Sequence, residues 1–121
     1  AQLANLTFSD VSAAEPGSLE GAWSGTGSVS FTTGARETVH CRVRYSRTSN
    51  TSYLVIATCA TSSGRTTQSA NLQGVGTNSY RGSFRNSEYN VSGTIYVVVH
   101  GDRQTVTLTS DVGSASLRLR R

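Results

Sequence analysis

Two cysteines constrain this chain more than any other feature. Cys41 and Cys59 are the only ones, and each lies in a stretch where apolar residues recur at every second position. The first stretch carries Val39, Cys41, Val43 and Tyr45 in phase, and the second carries Tyr53, Val55, Ala57 and Cys59. Period two marks a strand with one buried face, because successive side chains point to opposite sides. Folding the chain back at Asn50 pairs residues whose numbers sum to 100, so Cys41 meets Cys59, Val43 meets Ala57 and Tyr45 meets Val55. One register thus aligns both apolar faces and both thiols, and a slip of one residue would turn a whole apolar set outward. A disulfide closing this hairpin contributes about 3 kcal/mol, a large share of a small domain's stability.

The same alternation runs through the rest of the chain from Glu20 onward. Trp23, Gly25, Gly27, Val29 and Phe31 share one face of a strand whose interior glycines predict strong curvature. Past Gly64 a polar strand is anchored by Ala70 and Leu72, and Tyr80, Gly82 and Phe84 point inward in the next. Tyr89–Val99, Gln104–Ser110 and Ser114–Arg120 complete the set, separated by the turn residues of Gly101-Asp102-Arg103 and Asp111-Val112-Gly113. The expectation is an all-β domain, an antiparallel up-and-down β-barrel of about eight strands held by one disulfide, with an open β-sandwich as the alternative. Residues 1–18 lack the alternation and end in Pro16-Gly17, so they read as an N-terminal arm to a single domain spanning 19–121. Leu3, Leu6, Phe8 and Val11 are candidates to pack that arm onto the domain. Only 36% of residues are hydrophobic, but 15% charge and the phased pattern argue for order.

No catalytic site emerges. His40 precedes Cys41, yet consecutive strand residues face opposite ways, so it is badly placed to act as a base for that sulfur. His100 and Asp102 do not make up a metal site, which needs three or four ligands at recognisable spacing. The acids fall in the arm, in turns or near strand ends, and neither a GxSxG elbow nor a phosphate-cradling glycine loop is present. No catalytic residue, metal ligand or cofactor is therefore expected.

The net charge is +4, and all eleven basic residues are arginine. Arg42 with Arg44, Arg81 with Arg85, and Arg118 with Arg120 fall on outward faces of their strands. Brought together, they would form a basic surface able to grip carboxylate or phosphate. The expected partner is a protein or an anionic component of the bacterial cell envelope or of an external assembly. Nucleic acid is set aside because its recognition signatures are missing. No apolar window approaches eighteen residues, so no membrane-spanning helix is expected. A disulfide requires an oxidising compartment, periplasmic or extracellular, and Ala1-Gln2 reads as the start left after removal of an export signal.

Several short elements resemble a family of small exported bacterial proteins without an assigned activity. They are Gly21-Ala-Trp23-Ser-Gly25-Thr-Gly27, Glu37-Thr-Val-His-Cys41-Arg-Val-Arg-Tyr45, Cys59-Ala60, Tyr80-Arg-Gly82-Ser-Phe84, Asn90-Val-Ser-Gly93, Gln104-Thr-Val-Thr-Leu108 and Ser116-Leu-Arg-Leu-Arg120. The resemblance implies a cell-envelope location. Gly21-Ala-Trp23 and an arginine ending the last strand are also similar to calycin barrels. That similarity implies that Trp23 packs with Arg118 or Arg120 at the closed end of a barrel.

Three functions follow as expectations. The first is a non-enzymatic module binding a macromolecule through the arginine faces. The others are a lipocalin-like carrier of a small apolar ligand and a periplasmic protease inhibitor acting through the arm. Trp23, Phe31, Tyr45, Tyr53, Tyr80 and Phe84 all fall inward, enough aromatic bulk to fill a small barrel. That filling favours the first.

Overall fold

The computed structural model describes residues 19–121, so the arm and the roles expected of Leu3, Leu6, Phe8 and Val11 lie outside the described residues. Eight strands follow in order: β1 (Gly21–Phe31), β2 (Arg36–Arg47), β3 (Ser52–Thr61), β4 (Gly64–Gly74), β5 (Ser79–Asn86), β6 (Val91–His100), β7 (Arg103–Ser110) and β8 (Gly113–Arg120). Each pairs antiparallel with the next, and β8 returns to pair with β1, Gly27 opposite Leu117. The sheet is a closed up-and-down barrel, which excludes the sandwich alternative.

The β2–β3 register is the one the cysteines demand, with Cys41 opposite Cys59, Val43 opposite Ala57 and Tyr45 opposite Val55. The two sulfurs are bonded. Tyr89 and Asn90 leave the strand expected there and form a turn into β6. Asn90 has φ 53°, a left-handed conformation that asparagine tolerates better than most side chains.

Closing eight strands around a small lumen demands tight coiling, and inward glycines permit it. A Cβ at Gly25 or Gly27 would run into the carbonyl oxygens of Arg118 and Ser116 on β8. One at Gly82 would strike the Asn71 carbonyl of β4. Missing side chains at these points let neighbouring backbones press together.

The core is concentrated at one end. There Trp23, Tyr45, Leu72, Val97 and Val99 are all almost fully buried, and Leu19, just before β1, is sealed beneath them. The Trp23 indole N–H donates to the Leu19 carbonyl at 2.8 Å, drawing the incoming chain across this end. The Arg121 guanidinium lies 4.4 Å from the Trp23 ring centroid and donates to the Glu20 carbonyl at 2.8 Å. The Trp–Arg contact expected at the closed end therefore exists, but its arginine is Arg121 rather than Arg118 or Arg120. Those two alternate with the buried Leu117 and Leu119 and so must point outward. Arg121, one residue past β8, is free of that phase and folds over the barrel's end.

Candidate functional site

Among the described residues, the opposite end of the barrel is open. The inward positions nearest the β1–β2, β3–β4, β5–β6 and β7–β8 turns enclose a cup of about 400 Å³. Its floor is apolar, formed by Val39, Cys59, Phe84, Leu108 and Ala115, with one half of the disulfide among them. A further void of about 70 Å³ lies deeper, beside Tyr45, Val43 and Val106. The expectation of a filled interior is thus corrected. Aromatic bulk fills one end only, because Trp23, Tyr45, Tyr53 and Tyr80 all sit towards the Trp23 end. At the mouth the inward positions carry small or polar side chains such as Ser110, Thr61 and Thr66.

The rim is built by specific hydrogen bonds. The Asn86 side chain, buried at the end of β5, accepts from the backbone N–H groups of Glu88 and Tyr89 at 3.1 and 3.2 Å. This shapes the turn that presents the Tyr89 ring. Glu88 in turn accepts from the Thr67 N–H at 3.2 Å, tying that turn to β4. Across the mouth, the Thr32 N–H donates to the Val112 carbonyl at 3.0 Å and links two further turns. Phe31, Tyr89 and Val112 are exposed there, an apolar fringe around an opening whose walls are partly polar.

Among the described residues, Glu37 supplies the only charge in the lining of the cup. It is the second residue of β2, in the same phase as Val39 and Cys41, and it accepts a hydrogen bond from the Ser63 hydroxyl at 2.9 Å. Sequence reading placed it merely near a strand end. Extending the inward phase of β2 back by two residues would have found it.

Two polar groups are buried at the closed end instead. The Tyr45 hydroxyl donates to Gln104 Oε1 at 2.5 Å. Burial pushes the Tyr45 hydroxyl's pKa above its ordinary value, and the Gln104 hydrogen bond only partly offsets this. Gln104 Nε2 has no partner among the described residues.

Outside, the arginines divide. Ser24 of β1 lies between Arg42 on β2 and Arg120 on β8, and Thr26 lies between His40 and Arg118. Arg44 stands opposite Ala22, and Arg103, which sequence reading passed over, pairs directly with Arg120. Arg42, Arg44, Arg118 and Arg120 therefore share one face. Arg81 and Arg85 do not join them, for β5 lies across the barrel, and Arg81 stacks against Tyr96 at 5.3 Å. No group of three or more His, Cys, Asp or Glu residues able to hold an ion occurs among the described residues, His40 and His100 included. No helix among them is long and apolar enough to cross a membrane.

No protein-family model and no curated protein matches the chain. Among solved structures it is similar to designed barrels. One is a redesigned β-barrel, mFAP1, bound to DFHBI, with TM-score 0.72 and 16% identity over 85% of this chain and 94% of that one. A related redesign, mFAP0, also bound to DFHBI, gives TM-score 0.71 at 16% identity, covering 85% of this chain and 98% of that one. A de novo designed fluorescence-activating β-barrel gives TM-score 0.66 at 17% identity, covering 85% of this chain and 93% of that one. At such identity the similarity establishes a shared fold.

Proposed function

We propose that this barrel is a non-enzymatic binding protein that holds one small molecule, apolar over most of its length, in the open-end cup. The observation that carries the reading is the cup itself: about 400 Å³ with an apolar floor and a polar rim. That volume falls in the range of pockets that enclose small ligands. The designed barrels bound to DFHBI support it, because they take a small molecule on the same fold. Among the described residues no histidine lines the cup, which supports binding over acid–base chemistry. The disulfide is in keeping with work in an exported, oxidising setting, the envelope location that the sequence resemblance suggests.

Titration with N-phenyl-1-naphthylamine, a neutral apolar fluorophore, tests the proposal. Saturable one-to-one enhancement is expected, and Ala115→Phe, which fills the floor, should abolish it while leaving the melting temperature nearly unchanged. Enhancement that does not saturate, or that survives Ala115→Phe, would overturn the reading.

The arginine face favours a second role, contact with an anionic macromolecule of the envelope. Its side chains gather on adjoining strands β7, β8, β1 and β2, and like charges directly opposite, such as Arg103 and Arg120, are unfavourable unless an anion relieves them. Retention on an anionic column with a salt dependence that weakens in Arg42→Ser/Arg44→Ser would support this role. Unchanged retention would leave the face a solubilising surface.

A further inference from the structure

We infer that the ligand of this cup carries a positively charged nitrogen on an apolar body, and that Glu37 is the group that receives it. The inference rests on the cup reading and adds the chemical class of what enters.

The argument begins with where the charge sits. An inward-pointing carboxylate at the mouth of an otherwise uncharged cavity is costly to desolvate unless something pairs with it. Glu37 has one hydrogen-bond partner among the described residues, the Ser63 hydroxyl, which donates to Oε2. Glu37 lines the cup, and the Ser63 hydroxyl supplies a hydrogen bond to its carboxylate without neutralising charge. The adjacent arginine does not help, because Arg36 occupies the opposite, outward phase of β2 and is exposed.

Filling the cup decides which ligand is tolerated. A purely apolar occupant would displace water from the Glu37 carboxylate and offer nothing in its place. A carboxylate or phosphate would bring like charge to Glu37. An ammonium supplies both a hydrogen-bond donor and the opposite charge, so only this class turns the desolvation of Glu37 into a favourable contact. The mouth adds a second reason. Phe31 and Tyr89, both exposed among the described residues, border the same cavity as Glu37, and aromatic faces attract cations. The floor of Val39, Phe84 and Leu108 then receives the apolar body.

A matched series on the intact protein tests this: decylamine, decanol and decanoate, each below its aggregation concentration, measured by titration calorimetry at neutral pH. The amine is expected to bind about tenfold more tightly than the alcohol, the gain of one charge-assisted hydrogen bond, and decanoate more weakly than either. In Glu37→Gln the amine should fall to the alcohol's affinity, with the alcohol unchanged and a melting curve confirming the fold. If the alcohol binds and the amine binds no better, the Glu37 assignment is wrong while the cup reading stands. An amine preference that persists in Glu37→Gln also overturns the assignment. If no member of the series binds, the cup reading fails and this inference with it. Should Glu37→Gln not fold, Glu37→Ser takes its place, with the same expected and overturning outcomes.

Discussion

Replacing Tyr45 with phenylalanine should cost this barrel stability at neutral pH and progressively less as the solution turns alkaline. At neutral pH the hydroxyl is the partner of Gln104 Oε1. Its removal leaves a buried amide whose nitrogen has no partner among the described residues, so the substitution should cost about 1–3 kcal/mol. At alkaline pH a different effect grows. Burial raises the Tyr45 pKa above its ordinary 10.0 in the folded barrel, so the stability conferred by the protonated hydroxyl is fully present below the unfolded value and is lost as pH rises through the range above it. Each pH unit in that range favours the unfolded chain by about 1.4 kcal/mol, or about 2 kcal/mol at about pH 11.5. The Tyr45→Phe variant escapes this loss, so its deficit should shrink and approach zero between about pH 11 and 12. The composition makes the experiment clean, because the chain has no lysine and both cysteines are bonded. The remaining tyrosines are common to both proteins, so their contributions cancel in the difference. Urea unfolding of the two proteins at a series of pH values from neutral to about 11.5 is the assay. A stability difference that stays constant across that series would refute the reasoning.

Other perturbations probe the frame. Reducing the disulfide, or replacing both cysteines with Ser, should lower stability by about 3 kcal/mol for a crosslink spanning 18 residues, read as a shift in the urea midpoint. Gly82→Ala should cost about 1–3 kcal/mol, since its Cβ meets the rigid Asn71 carbonyl. By contrast Gly34→Ala, in an open turn where nothing lies near, carries only the cost of its φ of +96°. Arg121→Ala should lower stability by about 1 kcal/mol through loss of the Trp23 stack and the Glu20 contact, whereas Arg120→Ala on the outward face should change it by less than about 0.5 kcal/mol. Equal effects of those last two substitutions in thermal melts would refute the account of the closed end.

Strand number, the Cys41–Cys59 pairing and the inward face of each strand were legible in the amino-acid sequence, because all three are local or follow from period two. Val43 faces inward whatever the barrel's size. The outward direction of Arg118 and Arg120 is equally local, since Leu117 and Leu119 set their phase. What the interior contains was not legible in the same way. Six inward aromatics suggest a filled lumen, but their distribution along the barrel axis depends on strand stagger, which appears only when β8 closes on β1. Closure gathers Trp23, Tyr45, Tyr53 and Tyr80 at one end and leaves Glu37, Thr61, Thr66 and Ser110 around an opening at the other. The arginines follow the same rule. Their outward direction was readable strand by strand, but only the circular strand order puts Arg42, Arg44, Arg118 and Arg120 on one face and sends Arg81 and Arg85 to the far side. Alternation along a strand fixes which side a residue faces; only the closed sheet fixes who its neighbours are.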